Sequence, residues 1–352
     1  MTTKCEASDE QKTALPGRLV RGRAVMDIPE DLDRLIQDAL VELGAEADAA
    51  ALAHRIKLLN LGLPAEDEFS VICAWLGRCR LVHKLDQLQS PPASRDVFQV
   101  PDLLAEFADH GAVLIEVKVS TRKVLSFKPD YHRRLTAYAA MIGKPLLIAW
   151  KFHTLWVLFD IRHMKPAQTN LNIAFGEAMR QSLLGPLVGD VMFKLAPGAG
   201  VQFDIAKEEL VSTTQETDTG WTEEWRMRFT AVDFVKGGGA PAPDLHSETQ
   251  QILAAWDLEP HETHFDDRIA LTYTVGDEGV QFAHTALVRV LAWERRTPSP
   301  GDWRALLRTP QITRTIEDFP RALERALGEG VVSHIFRIAP PDLPDFMAPP
   351  RD

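Results

Sequence analysis

Apolar and polar positions along this chain recur with two different periods, and the switches between them mark out its elements. From Pro29 to Leu59 the apolar residues Leu32, Leu35, Ile36, Leu40 and Leu43 fall at helical spacing, with Pro29 suited to a first turn and Glu30 and Asp31 complementing the helix dipole. Residues 1–27 read as a loose arm. A second helix opens at Pro64: Glu66, Asp67 and Glu68 supply acids to its first turn, and Phe69, Ile72, Trp75 and Leu76 give it an apolar side before Gly77. Period-two alternation takes over in Leu81–Leu88 and is broken by Ser90-Pro-Pro-Ala-Ser94. It resumes in Val97–Phe107 and Val113–Val119, on either side of an Asp109-His110-Gly111 turn. Tyr131–Ile142 returns to helical spacing and closes on Gly143. Pro145–Trp150 is nearly all apolar, as a strand covered on both faces is, and Leu155–Ile161 forms one more strand. The order is α-β-β-β-α-β-β, a mixed α/β (α+β) arrangement.

Further along, Val188–Leu195 and Val201–Ala206 read as strands joined by a hairpin turn at Gly198-Ala-Gly200. The stretch Lys236–Asp244, KGGGAPAPD, holds three glycines and two prolines and predicts a linker. Beyond it come a helix at Ser247–Trp256, a strand at Ile269–Val275, an apolar element at Val280–Trp293 and a helix at Trp303–Leu307. A capping box of Thr315 and Asp318 introduces a helix at Phe319–Leu327, ahead of the strand VVSHIFRI. These boundaries divide the chain into a helical N-terminal region (1–60), a central core (61–165), a β-rich extension (166–235), the linker (236–244) and an α+β C-terminal domain (245–352). Helix, helix, glycine turn and strand fit a winged-helix-like module. Six acids among the nine arginines from Arg289 to Arg337 instead favour a partner-binding or dimerisation domain.

Composition narrows the class. With 45% hydrophobic and 25% charged residues in 352, the chain is neither disordered, collagen-like nor disulfide-stapled. Its longest apolar run is about six residues, far short of the roughly 20 that span a bilayer. The polar start MTTKCEASDEQKTALPGR lacks the apolar core of a secretory signal, and the three cysteines, Cys5, Cys73 and Cys79, form no CxxC pair. A cytoplasmic protein with no membrane part is expected. The net charge of −11 argues against a general nucleic-acid surface, but it is unevenly spread. Between Gly111 and Lys165, ten Lys or Arg stand against Glu116, Asp130 and Asp160, a basic island in an acidic chain.

The island includes the most specific constellation. A turn centred on Asp109 sets Asp102 opposite Glu116, within about 5 Å if directly paired. Lys118 shares the face of Glu116, while Val113, Ile115, Val117 and Val119 turn to the other, toward the core. Two carboxylates repel until a dication lies between them, and Mg²⁺ takes one or two protein carboxylates together with phosphate and water. Such a patch suits metal-assisted phosphodiester hydrolysis, with Lys118 orienting water or offsetting transition-state charge.

Val100-Pro101-Asp102 followed by LIEVKV, with Glu116-x-Lys118, resembles the PD-(D/E)xK nuclease superfamily, whose members include restriction endonucleases and archaeal-type Holliday junction resolvases. The segment from Tyr131 through PLLIAW is similar to the resolvase-like branch. The likeness spans about 64–165 and implies a restriction-endonuclease-like αβββαβ core. It also implies Asp102, Glu116 and the Val117 carbonyl as ligands of Mg²⁺ (or Mn²⁺), and Lys118 as the catalytic lysine. Many members add a glutamate from the first helix; Glu68 is the choice here and Glu66 its competitor, with an acid that only complements the helix dipole an equal alternative for Glu68. Arg122, Lys123, Arg133 and Arg134 are expected at a nucleic-acid backbone, with Tyr131 beside them, and Tyr138 either there or in packing.

The implied activity is that of a metal-dependent endonuclease, a phosphodiester hydrolase acting on DNA in a setting such as restriction or phage defence. A homodimer or larger protein complex is expected, since cutting a duplex takes two sites. RNA as substrate stays open. So does a non-catalytic nuclease-fold scaffold or nucleic-acid-binding subunit, which the acidity outside the island favours and the presence of the Asp-Glu-Lys set disfavours. His261-Glu-Thr-His264-Phe-Asp266-Asp267 lacks a metal-site frame and reads as a solvated loop, and His83 and His110 flank the hairpin without a required role.

Overall fold

The computed structural model describes residues 64–348 apart from 87, 218–219, 277–278, 296–302, 308–312 and 314, so the arm at 1–27 and the helix expected at 29–59 lie outside the described residues. A helix over 64–75 (α1) leads into three antiparallel strands, β1 (Cys79–Lys84), β2 (Leu103–Phe107) and β3 (Gly111–Val119). A short strand, β4 (Val124–Phe127), and helix α2 (Pro129–Ile142) then cross over to β5 (Leu146–Phe152), which lies parallel to β3; β6 (Leu155–Asp160) returns antiparallel. The sheet order is β1-β2-β3-β5-β6, and the α-β-β-β-α-β-β order read from the sequence holds, with β4 as an addition that pairs with β8 (Asn170–Ala174) in a small sheet completed by β7 (Lys165–Ala167).

Strand alternation sorts side chains into two layers. Val113, Ile115 and Val117 of β3, with Leu147 and Ala149 of β5, pack against Phe69 and Ile72 of α1 and Leu76 just beyond its end. Leu114, Ile148 and Trp150 face the other way, onto Leu135 and Ala139 of α2. Both faces of β3 are therefore covered, and neither valine nor leucine positions of this strand turn to solvent until Val119. Pro129 in the first turn and Gly143 at φ +68° bound α2, because proline presets the helical φ and glycine takes the left-handed turn that ends it.

Several boundaries differ from expectation. The alternation assigned to Val97–Phe107 is paired only from Leu103, since Pro101 has no N–H for the ladder. The apolar element at Val280–Trp293 divides into β15 (Val280–Phe282) and a helix starting at Ala283, a short strand leading straight into helical spacing. Asp318, and not Thr315, caps the helix that follows, accepting from the Arg321 N–H at 3.0 Å. Gly198-Ala-Gly200 does not join a hairpin: β9 (Val191–Leu195) pairs with β15 and β16 (Val332–Arg337), while β10 (Gly200–Thr217) belongs to a second five-stranded sheet. In that sheet β10 lies between β11 (Gly220–Lys236) and β14 (Arg268–Thr274), with β12 (Ala240–Pro241) and β13 (Glu259–His264) at its edges.

The glycine-proline stretch is bound into the fold instead of tethering two separate cores. Lys236 pairs with Ala240, the Gly237 N–H donates to the Gly330 carbonyl at 2.9 Å, and the Gly238 N–H donates to Pro197 at 2.7 Å. A Cβ at Gly237 would come within 2.6 Å of the Ala196 side chain, so close approach, not flexibility, requires glycine there. One apolar cluster runs from α1 and its face of the first sheet through Leu187 and Phe193 to Ile252, Leu287, Phe319 and Val332. The described residues all fall within a single compact unit. Among the described residues, no helix is long and apolar enough to cross a membrane.

Leu135 has no exposed surface between α2 and the sheet. Leu135→Ala is expected to cost about 2–5 kcal/mol of stability, read as a lowered denaturant midpoint at unchanged m-value.

Candidate active site at the open end of the β2–β3 hairpin

The β2–β3 ladder runs from Phe107 opposite Gly111 to Leu103 opposite Ile115. The same register, continued, sets Asp102 opposite Glu116 and Pro101 opposite Val117. Here the backbone pairing stops and a side chain takes over: the Asp102 carboxylate accepts the Val117 N–H at 2.7 Å, while its own carbonyl accepts from Leu85 at 3.0 Å. Pro101 offers no N–H to the Val117 carbonyl. The hairpin thus ends with a carboxylate in the strand-pairing position and a carbonyl that its opposite neighbour cannot satisfy.

Glu116 lies on the α2 face of β3 with only 2% of its surface exposed. One oxygen, Oε1, accepts from both the Lys118 ammonium and the Tyr131 hydroxyl. The other, Oε2, is buried and accepts no hydrogen bond among the described residues. Tyr131 reaches Oε1 from the first turn of α2, its ring braced edge-on by Phe127 at 5.2 Å, with the Lys118 ammonium 5.3 Å from the ring centroid.

The local electrostatics follow from this crowding. Burial pushes the Asp102 carboxyl well up from its ordinary value, and Glu116 and Glu66 push it further, against the pull of Lys118 and the Val117 N–H. For Lys118, burial works to lower the ammonium's value, but Glu116, Tyr131 and Asp102 outweigh it and hold the charge in place. Burial and then Glu116 likewise raise the Tyr131 hydroxyl, which stays protonated and donating.

Of the two helix glutamates, Glu66 and not Glu68 lies in this field. Burial raises the Glu66 carboxyl, Lys84 at 3.2 Å opposes that, and Asp67 and Glu116 add to it. Glu68 sits over the opposite face of the sheet. It is buried beside Phe69 and takes hydrogen bonds from Lys151 at 2.5 Å and from the Trp156 indole at 2.9 Å. The cause is helical phase: two residues along α1 turn a side chain by about 200°.

The remaining expected residues divide. Arg122 and Lys123 are exposed in the turn that follows β3. Arg133 and Arg134 are engaged locally, donating to the carbonyls of Asp96 and Arg95 at 3.1 and 2.8 Å and pairing with Asp130. Tyr138 packs against the α2-side cluster. Tyr131, expected at a nucleic-acid backbone, instead holds Glu116. Helical spacing alone could not say which neighbour its hydroxyl meets. The His261–His264 segment is the exposed edge strand β13, not a loop, and its His264 ring lies 3.2 Å from Glu262. Among the described residues, no group of three or more His, Cys, Asp or Glu side chains is arranged to hold a metal ion. What the hairpin end does present is two carboxylates and a backbone carbonyl.

Residues 90–181, about a quarter of the chain, match the family model of the archaeal Holliday junction resolvase, Hjc. Among solved structures, Hjc from the archaeal hyperthermophile Archaeoglobus fulgidus is 20% identical over 28% of this chain and 76% of its own length, with a TM-score of 0.24. No curated protein matches. The resemblance to the PD-(D/E)xK nucleases is thus borne out over the segment that includes Asp102, Glu116, Lys118 and Tyr131, and the matched segment begins after α1.

A carboxyl raised in the folded protein contributes its full stability only below the ordinary aspartate value of about 4, and that contribution is lost as pH rises through the raised value. Asp102→Asn keeps an oxygen for the Val117 N–H and removes the repulsion from Glu116. Its Tm in EDTA is expected to exceed that of the unaltered protein near pH 8, by a margin that shrinks toward pH 4; thermal unfolding across that range measures it.

Proposed function

We propose that this chain, in which residues 90–181 match the archaeal Holliday junction resolvase family model, is a divalent-metal-dependent endonuclease that hydrolyses phosphodiester bonds in DNA. The observation that carries the reading is the Glu116 carboxylate: one oxygen is fixed by Lys118 and Tyr131, and the other is buried without a hydrogen-bond partner beside Asp102. A buried, unsatisfied anionic oxygen is costly, and a cation removes that cost.

The donor set suits Mg²⁺ or Mn²⁺, hard ions that take one or two carboxylates and fill their remaining positions with water and phosphate oxygens. Asp102, Glu116 Oε2 and the Val117 carbonyl are the groups that would hold the ion. When bound, it supplies Lewis-acid polarisation of a phosphoryl oxygen and a lowered pKa for water. The chain's own residues do the rest. Tyr131 donates to Glu116 Oε1 and so fixes the carboxylate with Oε2 as the oxygen left for an ion. Lys118, held charged, stands where an ammonium can offset the negative charge that grows on the phosphoryl oxygens. Arg122 and Lys123 lie exposed just beyond β3, within the basic stretch, and are the cations open to a phosphate backbone; Arg133 and Arg134 serve mainly to hold the 92–96 turn onto α2.

The test is cleavage of a four-way DNA junction, linear duplex, single-stranded DNA and RNA with Mg²⁺, Mn²⁺ or EDTA. Metal-dependent cutting of DNA is expected, falling by about 10³-fold or more in Asp102→Ala and Lys118→Ala, as loss of a central catalytic group does. Cutting confined to RNA would replace the substrate. No cutting together with no calorimetric Mg²⁺ or Mn²⁺ binding would establish the non-catalytic scaffold. Tyr131→Phe, which keeps the ring and removes the donor, is expected to weaken metal binding roughly 10-fold by calorimetric titration, the scale seen when a group that orients a ligand is lost.

A further inference from the structure

Next to Lys118 the first sheet carries a group of aromatic rings that the hydrolytic site does not use. β3 and β5 run parallel with Lys118 beside Trp150, whose ring lies on the α2 face. Phe152, two residues on from Trp150, is the next β5 side chain on that face, about 7 Å further along the strand. It stacks on Phe175, from the short helix over Phe175–Arg180, with ring centroids 4.2 Å apart and planes inclined by 28°. Trp150 meets Phe152 and Phe175 edge-on, at 6.0 and 5.4 Å. His153 takes the left-handed region, at φ +55°, in the turn between β5 and β6, and its ring stands edge-on to Phe152 at 4.6 Å.

These rings are not all core. Trp150 is fully buried, whereas Phe152 and Phe175 are each only partly buried and His153 is exposed. The turn over 120–123, with Arg122 and Lys123 exposed on it, is pinned to the stacked pair at both ends. At one end the Ser120 N–H donates to the Lys151 carbonyl, next to Phe152, at 3.0 Å. At the other the Phe175 N–H donates to the Lys123 carbonyl at 2.9 Å. The Trp150 indole N–H adds a bond to the Ser120 carbonyl at 3.2 Å. Glu177, the acid on the Phe175 helix, is already paired with Arg180. Rings beside a basic turn are the two parts with which proteins hold single strands: cations follow the backbone, and rings take base faces without regard to sequence. In an uninterrupted duplex both faces of each base are covered by its neighbours, so a ring can take a base only once it is unpaired and extruded.

We propose that Phe152 and Phe175 form a stacking subsite for one unpaired DNA base, that of the nucleotide adjoining the phosphate at Lys118. The chain then selects DNA with unpaired nucleotides beside the cut over uninterrupted duplex. The inference rests on the nuclease reading for the phosphate at Lys118. The stacked pair, its partial exposure and its attachment to the basic turn are independent of that reading.

The experiment is fluorescence titration of the full chain, with Ca²⁺ in place of Mg²⁺, against a blunt duplex and the same duplex bearing a short single-stranded extension. A 2-aminopurine at the first unpaired position reports stacking on a ring as quenching. The extended DNA is expected to bind about 10-fold more tightly than the blunt one, with quenching. Phe152→Leu and Phe175→Leu keep apolar bulk and remove a ring; each is expected to bring the two affinities together and to relieve the quenching. Phe175→Tyr, which keeps a ring, is expected to retain both, and Tm checks that every variant is folded. Equal affinity of the unaltered chain for the two DNAs, or no quenching by it, would overturn the proposal whatever the variants do. A preference and quenching that survive both leucine variants would also overturn it, by placing the base elsewhere. Cutting in Mg²⁺ is read separately: quenching without cutting removes the nuclease reading and leaves the stacking subsite, and cutting without quenching does the reverse.

Discussion

Much of the site depends on a carboxylate buried in a strand that is covered on both faces. Glu116 sits in β3 between apolar, buried neighbours, and taking a carboxylate out of water costs several kcal/mol unless it is paired and hydrogen-bonded. The surrounding structure answers that cost on one side only. Lys118 comes from the same strand two residues on, and Tyr131 comes from the first turn of the helix packed over it, both to a single oxygen. The second oxygen is left buried without a hydrogen bond, in the field of Asp102, whose own carboxyl has replaced a backbone partner at the end of the ladder. Hairpin end, crossover helix and charge placement thus meet in one requirement: to bury an anion half-satisfied.

The same covering of both sheet faces explains why the protein is not divided where its glycines and prolines suggest. The face of β3 and β5 that carries Ile115, Val117 and Leu147 needs more apolar cover than α1 provides, and the cluster continues into Leu187, Phe193 and elements from beyond residue 245. Once those elements share the core, the chain between them must pass close to other backbone, and glycine is the residue that permits it at Gly237. Glu68 belongs to this side too, tied to Lys151 and the Trp156 indole in an environment that is structural in every contact it makes. The neighbouring buried pair of His284 and Asp190 is closed in the same way: the second ring nitrogen of His284 accepts the Trp156 backbone N–H at 3.2 Å.

Much of the core was legible in the sequence. The alternation in β3, the turn at residues 109–111 and the helix closed by Gly143 each follow from local rules, and hairpin register is set by its turn, so Asp102 could be placed opposite Glu116 before any coordinates. Less legible were properties that depend on what comes from far along the chain. A two-residue choice between Glu66 and Glu68 turns on helical phase against a sheet whose strands β2, β3, β5 and β6 lie 35 or more residues away. The hydroxyl of Tyr131 has several possible neighbours until the helix is docked, and the termini of β9 and β10 look like one hairpin until their partners, β16 and β14, are known.

By itself, then, the sequence determined the element order of the nuclease-like core, the hairpin that sets Asp102 opposite Glu116 and the local basic excess, because periodicity, turn chemistry and covalent spacing act over a few residues. Only the tertiary structure decided which glutamate of the first helix enters the site's field, that Tyr131 holds Glu116, and that residues 236–244 are packed within a shared core. Each of these depends on long-range packing, where the identity of the neighbour is settled by competition among all the apolar surfaces the chain must bury at once.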